Sequence, residues 1–200
     1  EFRGIPGLFG KIRDFVTGLR HEPDKGLLLC CVVHAHNFRL LPRMAQLATE
    51  WGIKVNFSCY TMMRTKDERY MLSNNEVDEL ERIVERLIEH RARHMNVITS
   101  PYAMKNMLSF FRRRSFPGCG TGYKFHNVNP DGTFSPCGLI IKGYKSRAEL
   151  QEKFSSTNTC DQCYTSMRAS CEKPALWMLL DNLTMLRMRA RGAVAQDSAV

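Results

Sequence analysis

The chain has 200 residues, of which 44% are hydrophobic, so it can bury one core and is expected to form one domain or little more. Its longest apolar run, Gly26 to Val33, is far shorter than the roughly 20 residues that cross a bilayer, and no charged-then-apolar leader precedes it. These features argue against a membrane protein and predict a soluble, cytoplasmic one. The net charge of +9 is compatible with nucleic acid binding, but the basic residues are scattered and no aromatic stacking motif accompanies them. We therefore interpret the charge as solvated surface.

The first half of the sequence alternates helical and strand patterns. In chain order, the expected elements are a helix from Leu8 to Leu19, a strand from Leu27 to Val33, a helix between Pro42 and Gly52, a strand from Ile53 to Tyr60, a long helix after the capping box Ser73 to Glu76, a short strand from Met95 to Thr99, and a helix from Tyr102 to Phe111. Right-handed crossovers turn this order into adjacent parallel strands.

The two longer strands differ in pattern. Residues 27–33 are apolar on both faces, which predicts a central strand covered on both sides. Residues 53–60 alternate, with Lys54, Asn56, Ser58 and Tyr60 on the polar face. In a β/α barrel this polar face would line the lumen, with Ser58 and Tyr60 nearest the active end. The alternative is an edge strand whose polar face meets water.

From about Phe116 the sequence becomes rich in glycine, cysteine and turn residues. A β-hairpin is expected from Cys119 to Cys137, with Asn129-Pro-Asp-Gly132 at its tip. Three further elements are expected: a strand from Gly138 to Tyr144, a helix from Ser146 to Phe154, and a last helix from Pro174 to Arg189 with leucines on one side. The tail from Gly192 to Val200 is expected to fray.

The chain contains eight cysteines, and five of them lie between Cys119 and Cys171. Cys119 and Cys137 stand at the two ends of the hairpin, and Cys160 and Cys163 form a C-x-x-C motif, an arrangement that can hold four sulfurs around one metal centre. Either structural zinc or an iron-sulfur centre fits four thiolates. A disulfide scaffold fits less well, because such scaffolds are usually smaller and less apolar. The remaining cysteines are expected to be small buried hydrophobes: Cys30, Cys31 and Cys59.

The cysteine pattern, Cys119-x17-Cys137 with Gly132-x4-Cys137 and then Cys160-x2-Cys163 and Cys171, resembles the auxiliary-cluster domain of radical SAM enzymes, called SPASM or twitch. The first half is similar to the later strand-helix units of the radical SAM partial barrel, through RGIPGLFGKI, VVHAHN and LPRMAQLATEWG. The resemblance implies an α/β fold in which residues 1–115 form the C-terminal part of a partial (β/α) barrel. Residues 116–173 would then form a small α+β SPASM/twitch domain, and residues 174–200 a C-terminal helix and tail.

The same resemblance implies an auxiliary [4Fe-4S] cluster bound by Cys119, Cys137, Cys160 and Cys163, with the role of Cys171 left open. It also implies S-adenosyl-L-methionine, a second [4Fe-4S] cluster, an electron donor such as flavodoxin or ferredoxin, and a peptide or small-molecule substrate. Ser58 and Tyr60 would face SAM or substrate. Asn37, which reads as a capping residue of the loop after the first strand, would lie near SAM.

One motif of the family does not occur in the sequence. The C-x3-C-x2-C that holds the catalytic cluster is absent from these residues. We therefore expect the chain to be the C-terminal part of an enzyme and to be inactive alone. Two alternatives remain: a zinc-binding module with four cysteine ligands that contacts nucleic acid or protein, and a degenerate scaffold that has lost SAM chemistry.

Overall fold

The computed structural model describes residues 5–19, 26–184 and 186, and these form a mixed α/β structure. The helices are α1 (Leu8–Gly18), α2 (Leu41–Glu50), α3 (Asn74–His94), α4 (Pro101–Arg113), α5 (Arg147–Lys153), α6 (Ser166–Cys171) and α7 (residues 175–184). The strands are β1 (Leu28–Val33), β2 (Lys54–Cys59), β3 (Asn127–Val128) and β4 (Phe134–Ser135). None of the helices in the described part of the chain has the length and apolarity that a membrane crossing requires.

A small parallel sheet organises the first half. β1 and β2 pair in parallel from Leu28 opposite Lys54 to Val33 opposite Cys59. Val97 forms a parallel bridge to Val55 on the other side of β2. The sequence predicted a strand from Met95 to Thr99, but a single bridge is what forms there. At the end of the predicted strand, the Thr99 hydroxyl, rather than a backbone carbonyl, accepts a hydrogen bond from the Phe57 N–H at 2.7 Å.

Helices α2, α3 and α4 pack with one face of this sheet to form the main core. From β2 the core receives Val55, Phe57 and Cys59, which are at most 3% exposed. α3 begins at the predicted capping box, where the Ser73 N–H donates to the Glu76 carboxylate at 2.9 Å. Its apolar stripe is buried along its length, as its periodicity predicted.

The opposite face of β1 departs from the prediction. Leu28 is 44% exposed and Cys30 is exposed, so the expectation of a strand covered on both sides is wrong for this face. Within the described residues β1 pairs only with β2, and the edge next to Leu28 and Cys30 carries no further strand. The expectation that Cys30 is buried is therefore wrong too; Cys31 is half-buried, and Cys59 is buried as predicted.

The second half contains the predicted hairpin and little other sheet. β3 and β4 pair antiparallel around a turn in which Gly132 has φ +81°. The predicted strand from Gly138 to Tyr144 is wrong except for one antiparallel bridge between Tyr144 and Phe134. The hairpin strands are two residues long, so they offer a further strand almost no edge to pair with. α5 forms as predicted, and the Ser146 hydroxyl caps it by accepting from the Glu149 N–H.

The two halves meet where the end of β2 approaches α6. The Ser166 N–H donates to the Ser58 hydroxyl at 3.1 Å, and the Thr61 hydroxyl donates to the Gln162 carbonyl at 2.7 Å. The last predicted helix, Pro174 to Arg189, is present as α7, although residues 187–189 and the predicted fraying tail lie outside the described residues. The leucines that form its apolar side are exposed: Leu176, Leu179, Leu180, Leu183 and Leu186.

Candidate metal centre

Three separate segments carry the four cysteines that are predicted to bind a metal. Cys119 follows α4, Cys137 follows β4, and Cys160 and Cys163 lie in the loop before α6. The hairpin that brings the first two together is fixed at its tip, because Asn129 and Thr133 pair through their backbones at 2.8 Å and Asp131 accepts from the Thr133 N–H. A locally stable turn thus brings the ends of the hairpin together.

All four thiols predicted to bind a metal line one cavity of about 250 Å³. Most of the remaining wall is apolar, and the charged side chain that lines it is Arg168. The other wall residues include Met63, Phe125, Leu139 and Ile140. The fifth thiol of the cluster, Cys171, is not part of this wall. The structure therefore separates the four predicted ligands from Cys171, which the sequence could not do.

Arg168 fixes the position of two of the cysteine segments. Its side chain is 1% exposed. Its guanidinium donates to the Cys163 carbonyl at 2.7 Å and to the Pro117 carbonyl at 2.9 Å. The centre of the guanidinium also lies 5.1 Å from the centre of the Phe116 ring. One buried side chain thus ties the C-x-x-C loop to the segment that leads into Cys119.

Two further polar side chains complete this support. Glu172 accepts from Arg168 Nε at 2.6 Å and, through its other oxygen, from the Gly120 N–H at 2.6 Å. Asn158 donates to the Cys119 carbonyl at 2.9 Å and accepts from the Cys160 N–H at 3.1 Å. The Thr121 hydroxyl donates to the Pro136 carbonyl, which links the Cys119 loop to the Cys137 loop. These bonds place the four cysteines relative to one another without any bond between sulfurs.

Burial disfavours the ionised form of the thiols in the absence of a metal. It raises the pKa of Cys163 to about 11, although the positive charge of Arg168 opposes this effect. Burial also raises the pKa of Cys119. Nearby thiols raise both pKa values further. Cys160 and Cys119 raise the pKa of Cys163, and Cys160 raises the pKa of Cys119. Such a site favours thiolates only when a cation accompanies them, as a metal does.

The donor set fits a soft metal centre. The eight cysteines, all of which the structure describes, are free thiols. No histidine or carboxylate lines the cavity, so the available ligands are sulfur atoms, which suit iron-sulfur clusters, zinc or copper(I). Among the described residues, however, no group of three or more His, Cys, Asp or Glu side chains has an arrangement that could hold a metal ion, so metal binding by the four cysteines stays a prediction.

None of the three residues assigned by resemblance to SAM or substrate lines this cavity, although Ser58 contacts Ser166, which does. Ser58 accepts from the Ser166 N–H, as described above. Tyr60 is 5% exposed and donates to the Asp67 carbonyl at 2.9 Å. Asn37 donates to the Val32 carbonyl at 2.8 Å and accepts from the His34 N–H at 2.9 Å, which stabilises the loop after β1. The binding roles of Ser58, Tyr60 and Asn37 stay predictions.

Sequence reasoning did not identify the supporting residues Arg168, Glu172 and Asn158. The available signal was the spacing of Arg168 and Glu172, four residues apart after the C-x-x-C motif. That spacing is also typical of exposed helix pairs, so it does not indicate burial.

Comparisons with protein-family models, with curated proteins and with solved structures found no match in any of the three.

Proposed function

We propose that the four-thiol cavity binds an auxiliary [4Fe-4S] cluster and that the chain is part of a radical SAM enzyme of the SPASM/twitch type. The observation that supports the cluster is the convergence of Cys119, Cys137, Cys160 and Cys163 from three segments on one cavity. The assignment to radical SAM enzymes depends on the resemblance of the cysteine spacing and of the strand-helix units. The parallel order of β1, β2 and Val97 supports it, because a β/α barrel contains the same order.

The resemblance of the cysteine spacing to the SPASM/twitch domain favours a cluster over a single ion. The four thiols line a cavity of about 250 Å³ together with ten other residues, and thiolate sulfur is the ligand that iron-sulfur clusters use. Zinc held by the same four cysteines remains the second candidate, because a hairpin followed by a C-x-x-C motif is also typical of zinc ribbons.

Each part of the chain has a defined task in this proposal. The four cysteines would bind the cluster, Arg168 would offset part of the thiolate charge, and the apolar wall would limit the access of water. A bound cluster supplies either electron transfer or an anchoring site for substrate. SAM and a second cluster would be held by a polypeptide segment with C-x3-C-x2-C, which this chain lacks. A flavodoxin or ferredoxin would supply the electrons. The enzyme would act in the cytoplasm on a peptide or a small molecule.

The test is the metal content of the purified chain. After purification without oxygen and reconstitution with iron and sulfide, we expect about four iron and four sulfide per chain and a brown colour. Serine at Cys119, Cys137, Cys160 or Cys163 should lower the iron content. Cys171→Ser is the matched control, because Cys171 does not line the cavity, and it should keep the iron content of the unaltered chain.

Four other results would overturn parts of the proposal. A colourless protein with one zinc and no sulfide would replace the cluster with a zinc module. A Cys171→Ser variant that loses iron as the others do would contradict the ligand assignment. 5′-Deoxyadenosine produced from SAM by this chain alone would contradict the assignment of SAM cleavage to another segment, whereas its absence from a chain joined to C-x3-C-x2-C would favour the degenerate scaffold.

A further inference from the structure

A second cavity of about 250 Å³ lies between the Val97 strand position and the last helices. Nine of the fourteen residues that line it are polar or charged, and it is separate from the four-thiol cavity, although Ser166 borders both. The wall includes Arg91 of α3, Ser100 before α4, Ser170 of α6, Lys173, and Asp181 of α7. None of these five residues has a role in the proposed cluster site.

The charged groups that line this cavity do not balance. They are Arg91, Lys173 and Asp181, two cations and one carboxylate. Asp181 pairs closely with Lys173 through one oxygen, while its other oxygen is 3.7 Å from Arg91. The cavity therefore has a net positive charge, and an unbalanced buried charge is costly unless an anion accompanies it.

Arg91 leaves most of its hydrogen-bonding capacity unused. Its side chain is 8% exposed, and its Nε donates to the Val97 carbonyl at 3.0 Å. Its two terminal nitrogens make no hydrogen bond to any described residue, since the distance to Asp181 is too long for one. A guanidinium presents these nitrogens as a fork that matches the two oxygens of a carboxylate or phosphate. The unused donors therefore suit an oxyanion.

The start of α4 adds a second favourable group. Ser100 caps this helix of 13 residues by accepting from the Ala103 N–H at 3.2 Å, and both residues line the cavity. The N-terminus of a helix carries partial positive charge and attracts anions. Arg91, Lys173 and this helix terminus thus act on the same space.

We propose that this cavity binds the oxyanion group, a carboxylate or a phosphate, of a small molecule. The inference is independent of the cluster, because the anion donors are not thiols and the cluster ligands do not line this cavity. Arg91 would bind two oxygens of the anion, and Lys173 would contribute a second positive charge. Ser170 and Asn182 would provide polar contacts at the border.

The experiment measures anion binding to the full chain at constant ionic strength, with chloride as the balancing ion. Sodium phosphate and sodium acetate are titrated separately and followed by calorimetry and by the melting temperature. We expect saturable binding of at least one of them, and the tighter of the two identifies the group as phosphate or carboxylate. Arg91→Gln should weaken binding about tenfold or more, whereas Arg93→Gln, an exposed arginine on the same helix, should not.

A gain of affinity separates this proposal from a purely structural ion pair. Asp181→Asn removes the competing carboxylate and should tighten anion binding several-fold, a result that misfolding cannot produce. The proposal is overturned if neither anion binds saturably, if Arg91→Gln and Arg93→Gln bind equally well, or if Asp181→Asn weakens binding while the variant stays folded. Iron and sulfide contents are measured on the same samples, so failure here leaves the test of the cluster unaffected.

Discussion

The two halves of the molecule are stabilised by different forces. In the first half, helices α2, α3 and α4 bury an apolar core against β2, and the hydrophobic effect accounts for its stability. In the second half, the buried residues that join this core are Tyr164 and Ala169. Side-chain hydrogen bonds to backbone groups connect the cysteine segments instead. A region with so little apolar burial depends on other contributions, and a bound metal is one of them.

The largest expected effect is the loss of the proposed metal centre. Serine at all four of Cys119, Cys137, Cys160 and Cys163 would remove the proposed ligands, and structural metal sites contribute on the order of 10 kcal/mol to folding. Hydrogen exchange measured by mass spectrometry should show protection lost in residues 116–173 and kept in residues 28–113. Equal loss in both regions would contradict the distinction between them, and Cys171→Ser serves as the control.

The next largest effect should come from Arg168. Arg168→Met leaves Glu172 buried without its cation and leaves the Cys163 and Pro117 carbonyls without their donor. Breaking a buried ion pair on one side costs about 3–5 kcal/mol. Arg93→Met removes an exposed pair with the same four-residue spacing and should cost about 0.5 kcal/mol or less. Urea unfolding measures the loss of stability in both variants. Equal losses would contradict the structural role of the buried Arg168.

Two glycines of the second half test how tightly this region packs. Gly122 and Gly132 have nearly the same φ, +82° and +81°. Alanine at either position should lower the free energy of unfolding by about 1–2 kcal/mol, because the backbone there is left-handed. A Cβ at Gly122 would also overlap the Ser155 hydroxyl, whereas one at Gly132 meets nothing within 4 Å, so Gly122→Ala should cost about 1–3 kcal/mol more. If thermal unfolding gives equal losses, the packing around Gly122 is loose.

The smallest effect concerns pH and the first half. Burial lowers the pKa of His34 from its ordinary value of 6.5, and the nearby His36 lowers it further. The unfolded chain therefore binds the proton more readily, and the free energy of unfolding should fall as the pH drops below about 6.5. His34→Gln should make the stability less dependent on pH in this range, as chemical denaturation at several pH values can measure. Burial also lowers the pKa of His90, so some dependence should remain.

Local signals in the sequence predicted most of the elements. The capping box at Ser73, the proline near the start of α2 and the turn residues at Asn129–Gly132 act over a few residues, so they can be recognised without knowledge of the fold. The hairpin and the C-x-x-C motif also predicted that the four cysteines lie near one another, and all four line one cavity, whereas their binding of a metal stays a prediction. The residues between Gly138 and Tyr144 have strand propensity, but a strand needs a neighbouring edge, which propensity does not reveal.

The supporting polar residues could not be predicted in the same way. Arg168 and Glu172 have the same spacing as the exposed pair of Glu89 and Arg93, yet one pair is buried and the other is not. Only the packing of distant segments decides which pair is removed from water. The same holds for Arg91, whose burial depends on contacts with the Val97 strand position and with α7.

The way in which α7 is attached has a practical consequence. Asp181 connects this helix to Arg91 and Lys173, and Trp177 lies 5.5 Å from the Tyr102 ring, while the leucines of the helix are exposed. Removing the helix would therefore expose little additional apolar surface. Truncated chains that end near Pro174 should still have a folded first half. They should also aggregate less at the concentrations that crystallisation requires.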